Sequence, residues 1–282
     1  MKLARLTRAL PALLVVAALA ACAPTAPTAL PPTAAPTAAP TATPEPPAGN
    51  VYTFNGVQVT LPAGVAEGAN GRIVPAAQEE GAPNYAIHPE YTEIVLSGYR
   101  AQHEHFQGMI QVFPVADYEQ ALPMVEQRVQ ALQALLADKP AAPGQEIPVL
   151  PVFNEAQILR AQMRYLDFAN GAGVRFVTMY AQGLVPVTNK TVFYTYQGLT
   201  ADGAYWVSAI LPVNATFLPA DDAGASEPPA GGVPFPAEPD PEQVKAYYQA
   251  VADKMNATPA ADFTPSLEAL DAMMQSLQVT AP

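Results

Sequence analysis

QMRYLDFANGAGVRFVTMYAQ (Gln162–Gln182) and TVFYTYQGLTADGAYWVSAIL (Thr191–Leu211) decide the fold. Each segment holds two strand-like runs around a turn. Gln162–Ala169 and Val174–Gln182 flank Asn170-Gly171, and Thr191–Gly198 and Ala204–Leu211 flank Ala201-Asp202-Gly203. Asn-Gly between such runs is a strong hairpin signal. Four consecutive strands joined by short turns predict an antiparallel meander. Val174-Arg175-Phe176-Val177-Thr178-Met179-Tyr180 is apolar at positions of both parities, so the sheet is expected to be covered on both faces.

Working outward, the C-terminal side predicts two helices. Asp240-Pro241 reads as N-cap and first helical residue, with Val244, Tyr247, Tyr248, Val251 and Met255 on one face. Thr264-Pro265 repeats the start signal ahead of Leu267, Leu270, Met274 and Leu277. Between the meander and these helices, the proline-rich and acidic stretch 219–239 reads as an exposed loop.

On the N-terminal side, Val125, Val129, Leu132 and Leu136 predict a helix within Asp117–Asp138. Asp117 and Gln120 form its expected capping box, and Pro123 splits off a short first turn. Glu93–Leu96 and Phe106–Phe113 read as strands. Val51–Phe54 and Val57–Leu61 around Asn55-Gly56 read as a hairpin, followed by a Gly/Ala/Pro-rich loop to about Tyr85. The expectation is one α+β domain over residues 50–282, in which a four-strand antiparallel meander is covered by one central and two C-terminal helices. The order of elements is similar to that of the small α/β/α sandwiches of the photosystem extrinsic proteins. That likeness implies no activity.

The N-terminus carries a different message. Lys2, Arg5 and Arg8 precede an apolar run, Leu10–Ala21, of 12 residues. A hydrocarbon core about 30 Å thick needs about 20 residues, so the run reads as the hydrophobic part of a signal peptide over residues 1–21. It ends in Leu19-Ala20-Ala21-Cys22, and Cys22 is the single cysteine of the chain. This resembles the bacterial lipoprotein signal, in which a branched apolar residue and two small ones precede a cysteine that is acylated and becomes the first residue. The resemblance implies that Cys22 is lipidated and fastens the chain to the cell membrane, facing outside the cytoplasm. Several acyl chains give stable anchoring where one does not. Residues 23–49 hold nine Ala, nine Pro and six Thr with one charge, Glu45. Such a segment cannot bury a core and reads as a disordered stalk, residues 22–49 with the cysteine.

Composition narrows the partners. Of 282 residues, 25 are acidic and 13 basic. Without Lys2, Arg5, Arg8 and Glu45, the domain keeps 24 acidic against 10 basic residues, a net charge near −14. This excludes binding to nucleic acid by phosphate neutralisation. One cysteine excludes a disulfide scaffold and a cysteine-based zinc site. Nucleotide-loop, nucleophile-elbow and zinc-protease motifs are absent from the sequence.

Two sets of residues are candidates for chemistry. On a strand, His103 and His105 point to one face, with Glu104 on the other. Two imidazoles can chelate Zn²⁺ or Cu²⁺, with His88 as third ligand and Glu90 or Glu93 completing the site. In the meander, Arg164, Arg175, Tyr180, Tyr194 and Tyr196 supply guanidinium and aromatic groups suited to sugars or peptides. Asp221, Asp222 and Glu227 lack the spacing of a calcium loop. The expectation is a membrane-anchored extracytoplasmic lipoprotein that binds a ligand or protein of the cell envelope. No cofactor is expected; the alternative is a divalent metal at the histidines. The alternatives are an accessory or structural subunit of an envelope complex, and a metal-dependent or hydrolytic envelope enzyme using His103 and His105.

Overall fold

Asn55 and Gly56 take φ values of 45° and 75°, the left-handed pair that a tight two-residue hairpin turn requires. They join β1 (Gly49–Phe54) to β2 (Val57–Pro62). The computed structural model describes residues 49–144 and 146–281. The expected signal segment, Cys22 and nearly all of the stalk lie outside the described residues.

Then follow β3 (Gly68–Val74), β4 (Tyr91–Ser97), β5 (Met109–Pro114), α1 (Val115–Ala121) and α2 (Met124–Asp138). The meander segment supplies β6 (Ala156–Phe168), β7 (Gly171–Ala181), β8 (Phe193–Thr200) and β9 (Tyr205–Pro212). The chain closes with β10 (Asn214–Ala215), α3 (Pro241–Ala257), β11 (Phe263–Thr264), α4 (Leu267–Gln275) and β12 (Gln278–Val279). The class is α+β and mostly sheet.

The main sheet has seven strands in the order β3-β4-β5-β9-β8-β7-β6, and every neighbouring pair is antiparallel. Side chains alternate across it, so each strand feeds two cores. One face presents Val177, Met179, Tyr194, Tyr196, Val207 and Ala209 to α3, α4 and the small β1-β2-β12 sheet. The other presents Phe113, Val174, Phe176, Leu199 and Trp206 to α1, α2 and the segment Ile147–Val152. Tyr196 reaches Leu166 O, at 2.9 Å, because Gly173 and Gly198 leave room for its ring; a Cβ at Gly173 would sit 2.4 Å from that ring.

Several elements differ from the sequence reading. The expected loop before Tyr85 contains β3, whose Gly68, Asn70, Gly71 and Arg72 hide strand alternation. Gly71 is needed there because the Phe54 ring packs on it, 2.2 Å from where a Cβ would lie. β5 starts at Met109, and Phe106 lies in the irregular segment before it. The expected break at Pro123 is present, but it separates two helices, and the first begins earlier than expected, at Val115. Pro114 stands at the cap of the first without a side-chain hydrogen bond, so Asp117–Gln120 is not a capping box. Ser266, rather than Thr264, caps α4. Asp240 caps α3 by accepting from Glu242 N and Gln243 N. The 219–239 stretch is irregular and largely exposed, but Ala225 is buried and Phe235 packs edge-on against Tyr247 at 5.2 Å.

Candidate functional site

β6 is the sheet's outermost strand on one side, and α3 lies along it. The helix is fastened at its C-terminal end by an irregularity in the strand. The register of β6 against β7 shifts between Ala161 and Arg164, and Gln162 takes φ 56°. Gln162 N then donates to Asn256 Oδ1 (2.6 Å), while its side-chain amide donates to Met255 O (2.6 Å) and Thr258 O (2.7 Å). Carbonyls at the end of a helix have no partner inside it, so this amide satisfies them. The segment between β7 and β8 is held to the same helix. Tyr248 OH exchanges hydrogen bonds with Val185 N (3.2 Å) and O (2.8 Å), and Tyr247 OH accepts from Val187 N at 2.9 Å. Burial pushes the Tyr247 hydroxyl up to about 12.

Between these fastenings lies a cleft of about 340 Å³, floored by residues 157–160 of β6 and walled by α3 and Leu184. The polar residues along it are Gln157, Arg160, Lys245, Tyr248, Gln249 and Asn256, but the Gln157 amide is spent on Ile147 and Tyr180, and the Gln249 amide donates to the neighbouring Asp253 carboxylate at 2.8 Å. The volume falls in the range of about 300–1,000 Å³ common for small-molecule sites. Sequence reasoning missed this cleft because its two walls are distant in the chain, and only the packing of α3 on β6 brings them together.

The guanidinium and tyrosine set divides between the faces. Arg175, Arg164, Tyr194 and Tyr196 point to the face covered by α3 and α4, and Tyr180 to the other, by register with their partners. Arg175 is buried and pairs with both oxygens of buried Asp271 on α4, at 2.9 and 3.0 Å. Its third nitrogen donates to Gln162 O. Tyr194 OH donates to Asp271 Oδ1 (3.2 Å), and Arg164, largely exposed, lies 3.5 Å from Oδ2. Burial pushes the Asp271 carboxyl up from its ordinary value, while Arg175, Tyr194 and Arg164 oppose that rise. The group ties α4, β7 and β6 together. Tyr180 stacks on Phe153 at 4.3 Å and accepts from Gln157 at 2.8 Å.

The histidines occupy two places. His103 Nδ1 accepts from His105 N at 3.1 Å, and its ring packs on Phe106 (4.8 Å) and Phe193 (5.6 Å). Burial lowers His103 to about 4, against a smaller opposing effect from a hydrogen bond to the Thr191 backbone. His105 is exposed, 6.0 Å from His103 between ring centroids, with Nε2 3.2 Å from Glu104. His88 instead packs edge-on against Tyr91 at 5.1 Å, and Tyr91 meets Phe113. Among the described residues no group of three or more His, Cys, Asp or Glu side chains is arranged to hold a metal ion. His103 and His105 lie in irregular backbone, not on a strand.

A further polar feature escaped sequence reasoning. On the face toward α1 and α2, Glu93, Gln111, Ser208 and Gln197 form a buried row across β4, β5, β9 and β8. Gln197 Oε1 accepts from Trp206 Nε1 (2.8 Å) and Leu150 N (3.1 Å), and its amide donates to Ser208 Oγ (3.0 Å) and Thr195 Oγ1 (2.9 Å). Gln111 donates to Glu93 at 3.0 Å, and its own carbonyl is buried without a hydrogen-bond partner among the described residues. The available signal was a polar residue inside each apolar run, as in Ile110-Gln111-Val112 and Val207-Ser208-Ala209.

Comparison with protein-family models, curated proteins and solved structures gives no match. No helix among the described residues is long and apolar enough to cross a membrane.

Proposed function

We propose that the chain is a membrane-anchored extracytoplasmic lipoprotein whose folded body is a ligand- or protein-binding module of the cell envelope. The observation that carries this reading is the single cysteine closing Leu19-Ala20-Ala21-Cys22 behind a basic start and a 12-residue apolar run. Acylation of Cys22 supplies the membrane affinity, and the Ala/Pro/Thr stalk holds the body away from the bilayer. The body is the four-strand meander of the sequence reading, widened by three further strands, with the central helix pair and the two C-terminal helices on its faces.

Binding is favoured as the activity because the α3–β6 cleft combines ligand-sized volume, apolar walls and a few polar groups. The buried Arg175–Asp271 pair and the Gln197 row serve as the frame. The His103 Nδ1 lone pair is taken by His105 N and its ring packs on Phe106 and Phe193, which supports a packing role.

The test is mass spectrometry of the protein extracted from its native membrane, with a Cys22→Ser variant beside it. The expected product begins at Cys22 with a diacylglyceryl mass on the thioether, and the variant loses membrane retention. An unmodified thiol on a product starting elsewhere overturns the anchor.

A further inference from the structure

We propose that the outer edge of β1 pairs with the same edge of a second copy of the chain, antiparallel about Val51, so that two β1-β2-β12 sheets become one. This goes beyond the binding-module reading and rests on the fold alone. The far side of β2 shows which β1 groups are free. Thr60 N donates to Ser276 Oγ and Gly56 O accepts from Thr280 N, so even positions of β2 face away from β1 and odd positions face it. With Tyr52 opposite Val59, the ladder uses Asn50, Tyr52 and Phe54 of β1. The N–H and C=O groups of Val51 and Thr53 therefore point away from β2, with no hydrogen-bond partner among the described residues. The Val51 side chain is 63% exposed, more than Ile73, Tyr85 or Leu184.

The other edges of these two sheets are occupied or defended. On β12, Val279 N and O are both taken by the Asn170 amide. On β3, Gly71 N donates to Tyr52 OH, and Arg72 stands beside it. β6 carries Arg160, Arg164 and Asp167, and its irregularity gives Gln162 N to Asn256. Charges, bulges and covering groups are the usual means of keeping an edge from pairing. β1 is uncharged and free of proline, and its register against β2 is unbroken. Neither β2 nor β12 adds a charge. A groove of about 590 Å³ between Asn50–Tyr52 and Ala66–Ala69 leaves open space beside the edge.

A second copy suits this edge because the strand is complementary to itself. With Val51 on a two-fold axis, Val51 faces Val51 as a hydrogen-bonded pair and Gly49 faces Thr53 on either side, giving about six backbone hydrogen bonds. The domain's net charge near −14 repels another copy, and this neutral strip is where two can approach. Anchoring in one membrane, as proposed above, raises the effective concentration of the copies without adding a contact.

The experiment places Val51→Cys and, separately, Thr53→Cys in the full chain in its native membrane and oxidises both mildly. The parent chain beside them reports any disulfide through Cys22. In the paired ladder two Val51 Cα atoms lie about 5.5 Å apart, within disulfide reach, whereas two Thr53 Cα atoms lie about 14 Å apart. Val51→Cys is expected to give at least about tenfold more linked dimer than Thr53→Cys. Sedimentation of the purified chain in detergent over a concentration series is expected to show a dimer. Its dissociation constant should rise at least about tenfold in Val51→Lys, which sets like charges face to face at an exposed position while circular dichroism stays unchanged. Equal linkage of the two cysteines, a monomer at every concentration, or a dimer that Val51→Lys leaves intact overturns the proposal. A Val51→Cys disulfide to a different membrane protein also overturns it and gives the edge to another occupant. Cys22 acylation is read separately by mass, so either reading can fall without the other.

Discussion

The two faces of the seven-stranded sheet handle buried polarity in opposite ways. Toward α3 and α4, it is concentrated in one ion pair, Arg175–Asp271, which links the sheet to a helix. Toward α1 and α2, it is spread along a row in which Glu93 at the edge is the one acid and the rest are neutral, and Gln197 alone makes four hydrogen bonds, to β8, β9 and the Leu150 segment. A charged pair is costly to desolvate and much costlier to break, whereas a satisfied amide network costs less on either count. The first arrangement fixes where a helix sits, and the second fixes a covering loop and the neighbouring strand.

The sharpest way to break this contrast is Asp271→Ala. It strands the Arg175 guanidinium in the core and is expected to cost about 4 kcal/mol, the range for half of a buried pair. Arg175→Met combined with Asp271→Leu should recover most of that loss, because a well-packed apolar pair of similar volume is often no worse than the ions it replaces. Urea denaturation of both variants measures this. A double variant as unstable as the single one would mean that Tyr194 and Gln162, left without their partners, matter more than the charge.

On the other face, Gln197→Met keeps the volume and removes the amide. Trp206 Nε1 and Leu150 N then lose their acceptor, and each buried unpaired donor costs about 1–3 kcal/mol, so roughly 3 kcal/mol in total is expected. Faster amide exchange at Leu150 should accompany the loss, because the covering segment loses its tie to the sheet. An unchanged Leu150 would show that the segment is held by its apolar contacts alone.

These same residues show what was legible in the sequence. Tertiary class and antiparallel pairing came through because Asn55-Gly56 and Asn170-Gly171 are local signals, and the strands beside them are long and apolar. β3 was hidden because Gly71 is there for the Phe54 ring and not for the strand. The start of α1 was hidden because no side chain caps it. Arg175 and the tyrosines were read as ligand groups since a strand gives the parity of a residue but not what covers it. Asp271, which engages two of them, comes from a helix almost a hundred positions later. Cleft residues Arg160 and Lys245 were invisible for the same reason, since neither lies in a motif.

His103 gives the comparison a pH axis, because it packs on Phe193, on the face whose buried polarity is mostly neutral. The unfolded chain takes up its proton near pH 6.5, whereas the folded chain does so only near 4. Stability that is fully present above 6.5 is therefore lost as pH falls toward 4. With a discount for partial exposure, the expected loss is about 2 kcal/mol. His103→Gln removes this dependence, so the variant and the parent should converge as the medium is acidified. Parallel stability curves across that window would show that His103 already accepts a proton in the folded state.

The smallest effects belong to the two exposed arginines at the sheet's flanks, and they refine the contrast. Arg72 and Arg164 are comparably exposed, at 67% and 63% of the side chain, and each meets a buried carboxylate. Arg72 donates to Glu93 at 2.6 Å, and the other Glu93 oxygen accepts from Gln111. Arg164 stands 3.5 Å from Asp271, which keeps Arg175 and Tyr194 whatever happens. Arg72→Ala should therefore cost about 1 kcal/mol and Arg164→Ala a few tenths, although both remove one exposed cation. The difference should survive added salt, since it comes from what remains around the carboxylate and not from long-range attraction. Equal losses would mean that the Gln111 amide suffices for Glu93 once Arg72 is gone.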